Sequence, residues 1–245
     1  MDCCTVNDLD KVFGKRFAEA DLQHYLKKGL DRRASALVRL ISQRGVEGAA
    51  ILEVGPGVGA LHMELLKAGA TSAAGYDASP AYVAAATDLA QRLGFQDRVQ
   101  YHVGDFVDPA FAPAEADIVV LDRVVCCYPD MTALLSKSGR LAKGLYAVSF
   151  PRPTWYMRTG RLFLNLGFIL IRRRYRFYLH PHRAIVQAIQ AQGLRLVEQA
   201  RSGLWQIQVY ERGVQSEVEA ELPSKTSQGK AGAHVRPPLE RRNTP

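Results

Sequence analysis

Residues 51–59, Ile-Leu-Glu-Val-Gly-Pro-Gly-Val-Gly, constrain the fold more than any other stretch of the chain. An apolar run carrying Glu53 is followed at once by glycine at positions 55, 57 and 59. A chain that leaves a buried parallel strand through so sharp a turn needs residues without a Cβ. A Cβ there would clash within the turn and would keep a ligand off the backbone. The next segment, Leu61–Lys67, reads as a helix whose N-terminus points at that ligand. Strand, glycine turn and helix in this order imply an α/β fold with a parallel sheet.

Glu53 bears on which ligand this is. A carboxylate at the strand end repels a bare phosphate and favours a ligand with an ammonium group and ribose hydroxyls, such as S-adenosylmethionine. Gly55, Gly57 and Ala60 also satisfy the dinucleotide pattern G-x-G-x-x-A, so the glycines alone leave both classes open. The residues downstream add to the argument. Ala73–Asp77 reads as a second strand ending in Asp77, which suits two ribose hydroxyls, with Ala78 beside it. Pro80 then opens an alanine-rich helix, Ala81–Leu93, at a position where its missing N–H does no harm. Val99–Val103 reads as a third strand that runs into Gly104-Asp105-Phe106. There Asp105 can accept from an adenine amine and Phe106 can pack on the ring. A fourth strand, Ala116–Leu121, ends in Asp122.

The ordered series Glu53/Gly55-Gly57-Gly59, Asp77, Gly104-Asp105-Phe106 and Asp122, each at a strand end, resembles the class I S-adenosylmethionine-dependent methyltransferases over roughly residues 47–212. The stretch Val120–Asp130 further resembles a bacterial branch often grouped with magnesium-protoporphyrin O-methyltransferases. That grouping speaks to fold and cofactor rather than to substrate. The resemblance implies a Rossmann-like α/β fold: a seven-stranded, mostly parallel sheet with an antiparallel last strand, preceded by helices and interrupted by an inserted helical lid. It also implies S-adenosyl-L-methionine as cofactor.

Residues 1–46 are then a helical cap, with helices over Val6–Lys28 and Arg32–Arg44 broken at Gly29. The methyltransferase domain follows over 47–212. Its fifth strand is Leu145–Phe150 and a helix runs over His182–Gln192. Two last strands, Leu194–Ala200 and Leu204–Tyr210, are joined by a turn at Arg201-Ser202-Gly203. Residues 213–245 turn polar and read as a disordered tail. An insertion at 152–180 falls after the fifth strand, where open α/β sheets bind ligands. It is rich in apolar side chains between Trp155 and Ile171 and ends in Arg172-Arg173-Arg174 and Arg176. Three readings suit it: a lid over a ligand, a piece of the core or of a dimer interface, and a membrane-contacting segment.

At 245 residues and 47% hydrophobic content the chain can bury one large α/β core. No apolar leader follows Met1, and Leu162–Ile171 is too short to span a bilayer, so the expected location is cytoplasmic, with peripheral membrane contact as the variant. Cys3-Cys4 and Cys126-Cys127 are adjacent pairs, which suit reduced thiols better than disulfides or a zinc site. No metal centre is expected. The net charge of +8 fits an anionic small molecule or an anionic surface as partner. Nothing in the chain matches a nucleic-acid motif.

Methyl transfer from a sulfonium is an in-line displacement, so the protein must align the acceptor and, for some acceptors, remove a proton. Asp122 is the candidate for the methionyl ammonium, and Arg123 for an anionic substrate, unless the two pair with each other. Tyr128 can cover the sulfonium by a cation–π contact or simply pack. His180 is the general-base candidate, with Tyr178 next to it on the substrate side; a helix-capping or solvated histidine is the plainer reading of His180. His62 and His102 have poorer claims. Cys126 and Cys127 are either small buried apolar groups or a pair for a soft metalloid. The reading is methyl transfer to an oxygen or sulfur atom of a small anionic or amphipathic molecule. Its rivals are a non-catalytic cofactor-binding assembly protein and a nicotinamide-dependent oxidoreductase. The sequence assigns no oligomeric state.

Overall fold

The computed structural model describes residues 12–213. The Cys3-Cys4 pair, the expected helical residues 6–11 and the expected tail from 214 onward lie outside the described residues.

The sheet is built first from buried runs. β1 (Ala50–Val54) and β4 (Ala116–Asp122) are apolar on both faces because each is covered by helices on both sides. β1 lies between β2 (Ser72–Asp77) and β4, and pairs with both in parallel. β3 (Val99–Val103) extends the sheet beyond β2, and β5 (Ala142–Pro151) extends it beyond β4, again in parallel. β7 (Trp205–Arg212) runs antiparallel between β5 and β6 (Leu194–Ser202). The order is β3-β2-β1-β4-β5-β7-β6, seven strands with one antiparallel member, as the resemblance implied. The chain leaves β1 toward β2 on one side and returns to β4 on the other. The crevice at the carboxyl ends of β1 and β4 is therefore the topological switch point.

Alternation along the strands divides the core. Ile51, Ile118 and Val120 point to one face, under α1 (Lys15–Lys28), α2 (Arg32–Ser42), α3 (Ala60–Lys67) and α4 (Pro80–Leu93). Leu52, Val54, Val119 and Leu121 point to the other, under α5 (Met131–Arg140) and α7 (His182–Gln190). Local chemistry sets the helix ends. Asp31 accepts from the Ala34 N–H at 2.8 Å and caps α2, Ser79 caps α4 ahead of Pro80, and Asp130 caps α5. α2 lies across β5, β7 and β6 and places the N-terminal helices on the sheet.

Several bounds differ from those expected. β5 is longer than Leu145–Phe150 at both ends, since β4 already pairs with it at Ala142 and β7 pairs with it as far as Pro151. The last hairpin is tighter than expected, since Arg201 and Ser202 still pair with Gln206 and Trp205. α2 and α7 each end two residues early. The insertion forms α6 (Trp155–Leu170), which buries none of its residues, so the core reading does not hold for the helix, while Tyr175 after it is buried. The segment that returns from it is clamped to it: Asn165 donates to the Phe177 carbonyl at 2.9 Å and accepts from the Phe177 N–H at 2.8 Å. Among the described residues no helix is long and apolar enough to cross a membrane.

Candidate functional site

A cavity of about 690 Å³ opens at the switch point. Its walls are the turn after β1, the ends of β2 and β4, the loop after β3, and the N-terminal helices. Of the residues expected to contact cofactor or substrate, Glu53, Gly55, Gly57, Asp77, Ala78, Asp105, Phe106, Asp122, Arg123 and Tyr128 line it.

The glycine turn is held from two sides. Gly55 has φ +64°, and a Cβ there would come within 2.6 Å of Val124, so the turn packs directly on the loop after β4. Gly59 does not line the cavity. It is the left-handed N-cap of α3, and a Cβ on it would press on the His62 ring at 2.8 Å, so it packs directly on His62. Gly57 offers its N–H to Asp77 Oδ2 at 3.1 Å.

Asp77 is the central carboxylate. Its second oxygen accepts from the Ser79 N–H at 2.9 Å. Burial pushes its pKa up to about 6, although the N–H bonds from Ser79 and Gly57 favour the charged form. Glu53 departs from expectation. It is 1% exposed, and its Oε2 sits 2.6 Å from His62 Nδ1. His62 in turn meets the Tyr101 hydroxyl at 2.8 Å. Burial holds the Glu53 carboxyl above its ordinary pKa. Glu53 is thus engaged in a buried Glu–His–Tyr chain that fixes the turn, and the expected ammonium contact does not fit it.

At the β4 end, Asp122 forms an ion pair with Arg33 and accepts from the Ser149 hydroxyl. Arg33 also reaches Asp31 at 2.8 Å and lies over the Trp205 ring, 5.5 Å from its centre. Burial opposes its charge, and the two carboxylates more than offset that. The partner of Asp122 is therefore Arg33 of α2, not its neighbour Arg123. Arg123 stays exposed at φ +63°, its N–H bonded to Ser149 Oγ at 3.0 Å. Arg123 and Arg172 are the non-glycine residues in the left-handed region among the described residues, and Arg123 lies at the cavity. The sequence reading missed Arg33. The signal was present in the spacing, since Arg33, Leu37 and Ile41 recur every four residues and are all buried.

On the β3 side, Asp105 accepts from the Val107 N–H at 3.0 Å and from the Tyr128 hydroxyl. Phe106 is buried edge-on to Tyr76, and Lys137 lies 5.3 Å from its ring centre, so its ring is already packed. The Tyr128 carbonyl accepts from His180 Nε2 at 2.9 Å. That bond commits the Nε2 proton of His180, whose ring stacks on Tyr178. Neither His180 nor Tyr178 lines the cavity; both brace the loop that carries Tyr128, and the base role expected of His180 does not fit this position. From the 152–180 insertion only Phe177 reaches the cavity wall, so α6 stands beside the cavity rather than over it. Phe13, Phe17 and Trp205 add apolar wall that the sequence reading had not assigned.

Cys126 and Cys127 both line the cavity, with their sulfurs 3.9 Å apart. The Tyr175 hydroxyl donates to Cys127 Sγ at 3.2 Å. Hydrogen bonds from Cys126 and Tyr175 lower the Cys127 pKa, while the bond to Cys127 and burial raise that of Cys126. Among the described residues no group of three or more His, Cys, Asp or Glu is placed to hold a metal ion.

A family model described as "Methyltransferase domain" matches residues 22–199. No curated protein matches the sequence. Among solved structures, the chain is similar to magnesium protoporphyrin IX methyltransferase from Synechocystis PCC 6803, crystallised with SAH. The two are 22% identical with a TM-score of 0.59, over 73% of this chain and 81% of that one. The same enzyme with SAM bound gives 20% identity and a TM-score of 0.58, over 84% and 90% of the two chains. An O-methyltransferase family protein from Burkholderia thailandensis is 17% identical, with a TM-score of 0.63, over 83% of this chain and 62% of that one. At these identities the likeness establishes the fold.

Proposed function

The chain belongs to the methyltransferase domain family, and from that membership we propose that it moves a methyl group from S-adenosylmethionine to an oxygen or sulfur atom of a small anionic or amphipathic acceptor. One observation carries the cofactor assignment: Asp77, at the end of β2, faces the switch-point cavity while bonded to the Gly57 N–H of the turn. That arrangement leaves one lone pair on each Asp77 oxygen for a ribose hydroxyl. The cavity volume also suits a ligand of this size.

When bound, the cofactor supplies an electrophilic methyl on a sulfonium. The chain supplies the rest. Asp105, already oriented by Tyr128 and Val107, is the acceptor for an exocyclic amine. The Arg33–Asp122 pair offers both signs of charge to the zwitterionic end of a methionyl group, with Arg33 for the carboxylate and Asp122 for the ammonium. On the acceptor side, Arg123 gives a positive charge, and Phe13, Phe17 and Phe177 give apolar wall, which together favour an amphipathic anion. His180, the base candidate, does not line the cavity, so the reading favours an acceptor that needs little or no base, a carboxylate or a thiolate.

The test is a pair of measurements on the full chain. Calorimetry should show binding of S-adenosylmethionine and of its demethylated product, and none of NAD. A screen of small carboxylates and thiols with a labelled methyl donor should then find turnover. Binding of NAD in place of both sulfur compounds would make the chain an oxidoreductase. Tight cofactor binding with no acceptor in any class would favour the assembly role.

A further inference from the structure

α6 is built the wrong way round for a helix that packs on its own domain. Trp155, Leu162, Phe163, Leu166, Ile169 and Leu170 fall on one stripe of the helix by their spacing of three, four and seven. All are exposed, from 50% at Leu166 to 78% at Trp155. Arg161 and Asn165 lie to one side of the stripe and are half-buried, and Asn165 clamps the return segment. An apolar stripe of this width turned to solvent marks a contact surface rather than a chance exposure.

The surrounding charge says what covers it. From 131 to 197 the chain contains twelve lysines and arginines and no aspartate or glutamate. Arg158, Arg172 and Arg174 flank the stripe and are exposed. Beside the base of α6, Arg158, Arg161 and Arg183 with His182 line a second cavity of about 600 Å³, and no carboxylate lines it. The Nε of Arg161 is buried and has no hydrogen-bond partner among the described residues. A second copy of this chain would bring the same unbalanced cations against these. An anionic bilayer would bring acyl chains for the stripe and phosphates for the arginines. The helix is too short to cross, so it would lie in the plane of the interface with Trp155 and Tyr156 at one end.

We propose that α6 docks the protein on an anionic phospholipid surface, with the Arg158–Arg161–Arg183 cavity receiving a lipid phosphate. The proposal does not depend on the methyl-transfer reading, and binding of the demethylated cofactor serves as the control for folding. The full chain is mixed with vesicles of phosphatidylcholine alone and of phosphatidylcholine with phosphatidylserine, and is sedimented. It should pellet with the anionic vesicles at physiological salt, with a blue shift of tryptophan emission that Trp155→Phe removes. Leu162→Gln/Phe163→Gln/Leu170→Gln should abolish pelleting and leave cofactor-product binding intact. Arg158→Gln/Arg172→Gln should lower the partition constant roughly 25-fold, about fivefold per charge. Free glycerophosphoserine at millimolar concentration should leave vesicle binding in place. The proposal is overturned if the triple variant still pellets, if neutral vesicles bind equally well, or if the free headgroup abolishes binding. It is also overturned if the wild-type protein ignores vesicles and forms a dimer that the triple variant loses.

Discussion

Asp77 decides more than any other single residue, because its protonation lies within reach of ordinary buffers. Its folded pKa of about 6 stands above the ordinary carboxylate value, so the folded chain takes up this proton more readily than the unfolded one. The corresponding contribution to stability is present in acid and is lost as pH rises through 6. A ligand with hydroxyl donors makes the opposite demand, since it needs the ionised carboxylate. Affinity for the demethylated cofactor should therefore rise from pH 5 to pH 7 by about tenfold and level off above. Calorimetry at fixed ionic strength measures this, and a flat profile would show that Asp77 does not meet the ligand. Asp77→Asn should flatten the same profile. The position of Asp77 beside the turn was legible in the sequence because the strand end and the turn are local, and a glycine turn announces its own backbone geometry. The partners of Glu53 and His180, namely His62 and the Tyr128 carbonyl, were not legible, because they are set by packing that no local pattern encodes.

Among elements, the tie between α2 and β4 is the one with an energetic signature. Arg33 is buried and Asp122 is only slightly exposed, so removing one leaves the other charge largely without compensation. Arg33→Met should destabilise the fold by about 3–5 kcal/mol, read from urea unfolding. Adding Asp122→Asn to that variant should recover a good part of the loss, because the orphaned charge is gone. A loss under about 0.5 kcal/mol would mean that the pair behaves as an exposed one. The same tie shows why the elements were legible and their docking was not. Asp31 as cap and the buried stripe Leu37–Ile41 announce α2 from its own residues. That its first turn would deliver an arginine to the end of β4 depends on how α2 crosses β5, β7 and β6, a matter of tertiary assembly. α6 shows the reverse case: its apolar letters were plain, while the direction of its stripe needed the structure.

For the whole described molecule, cofactor occupancy and stability are linked. The cavity is walled by elements from both ends of the described chain, from Phe13 to Trp205. A ligand bound there stabilises all of them against unfolding together. At a hundred times its dissociation constant it should add about 2.7 kcal/mol. For a domain of this size that corresponds to a rise of roughly 5–10 °C in melting temperature. Scanning calorimetry with the demethylated cofactor measures it. A shift confined to part of the transition would mean that the N-terminal helices melt apart from the sheet.

The stretch without carboxylates has a last consequence. Residues 12–130 carry fifteen acidic against twelve basic residues, while 131–197 carry cations only. The sheet order puts β5 and β6, the strands of that second stretch, toward one edge, and β1, β2 and β3 toward the other. The described part of the molecule is therefore unevenly charged along its sheet. Near any negatively charged body it experiences a torque before contact, and it arrives with its cationic edge leading. Raising the salt would slow that arrival through loss of steering, while leaving the interior of the switch-point crevice largely unscreened.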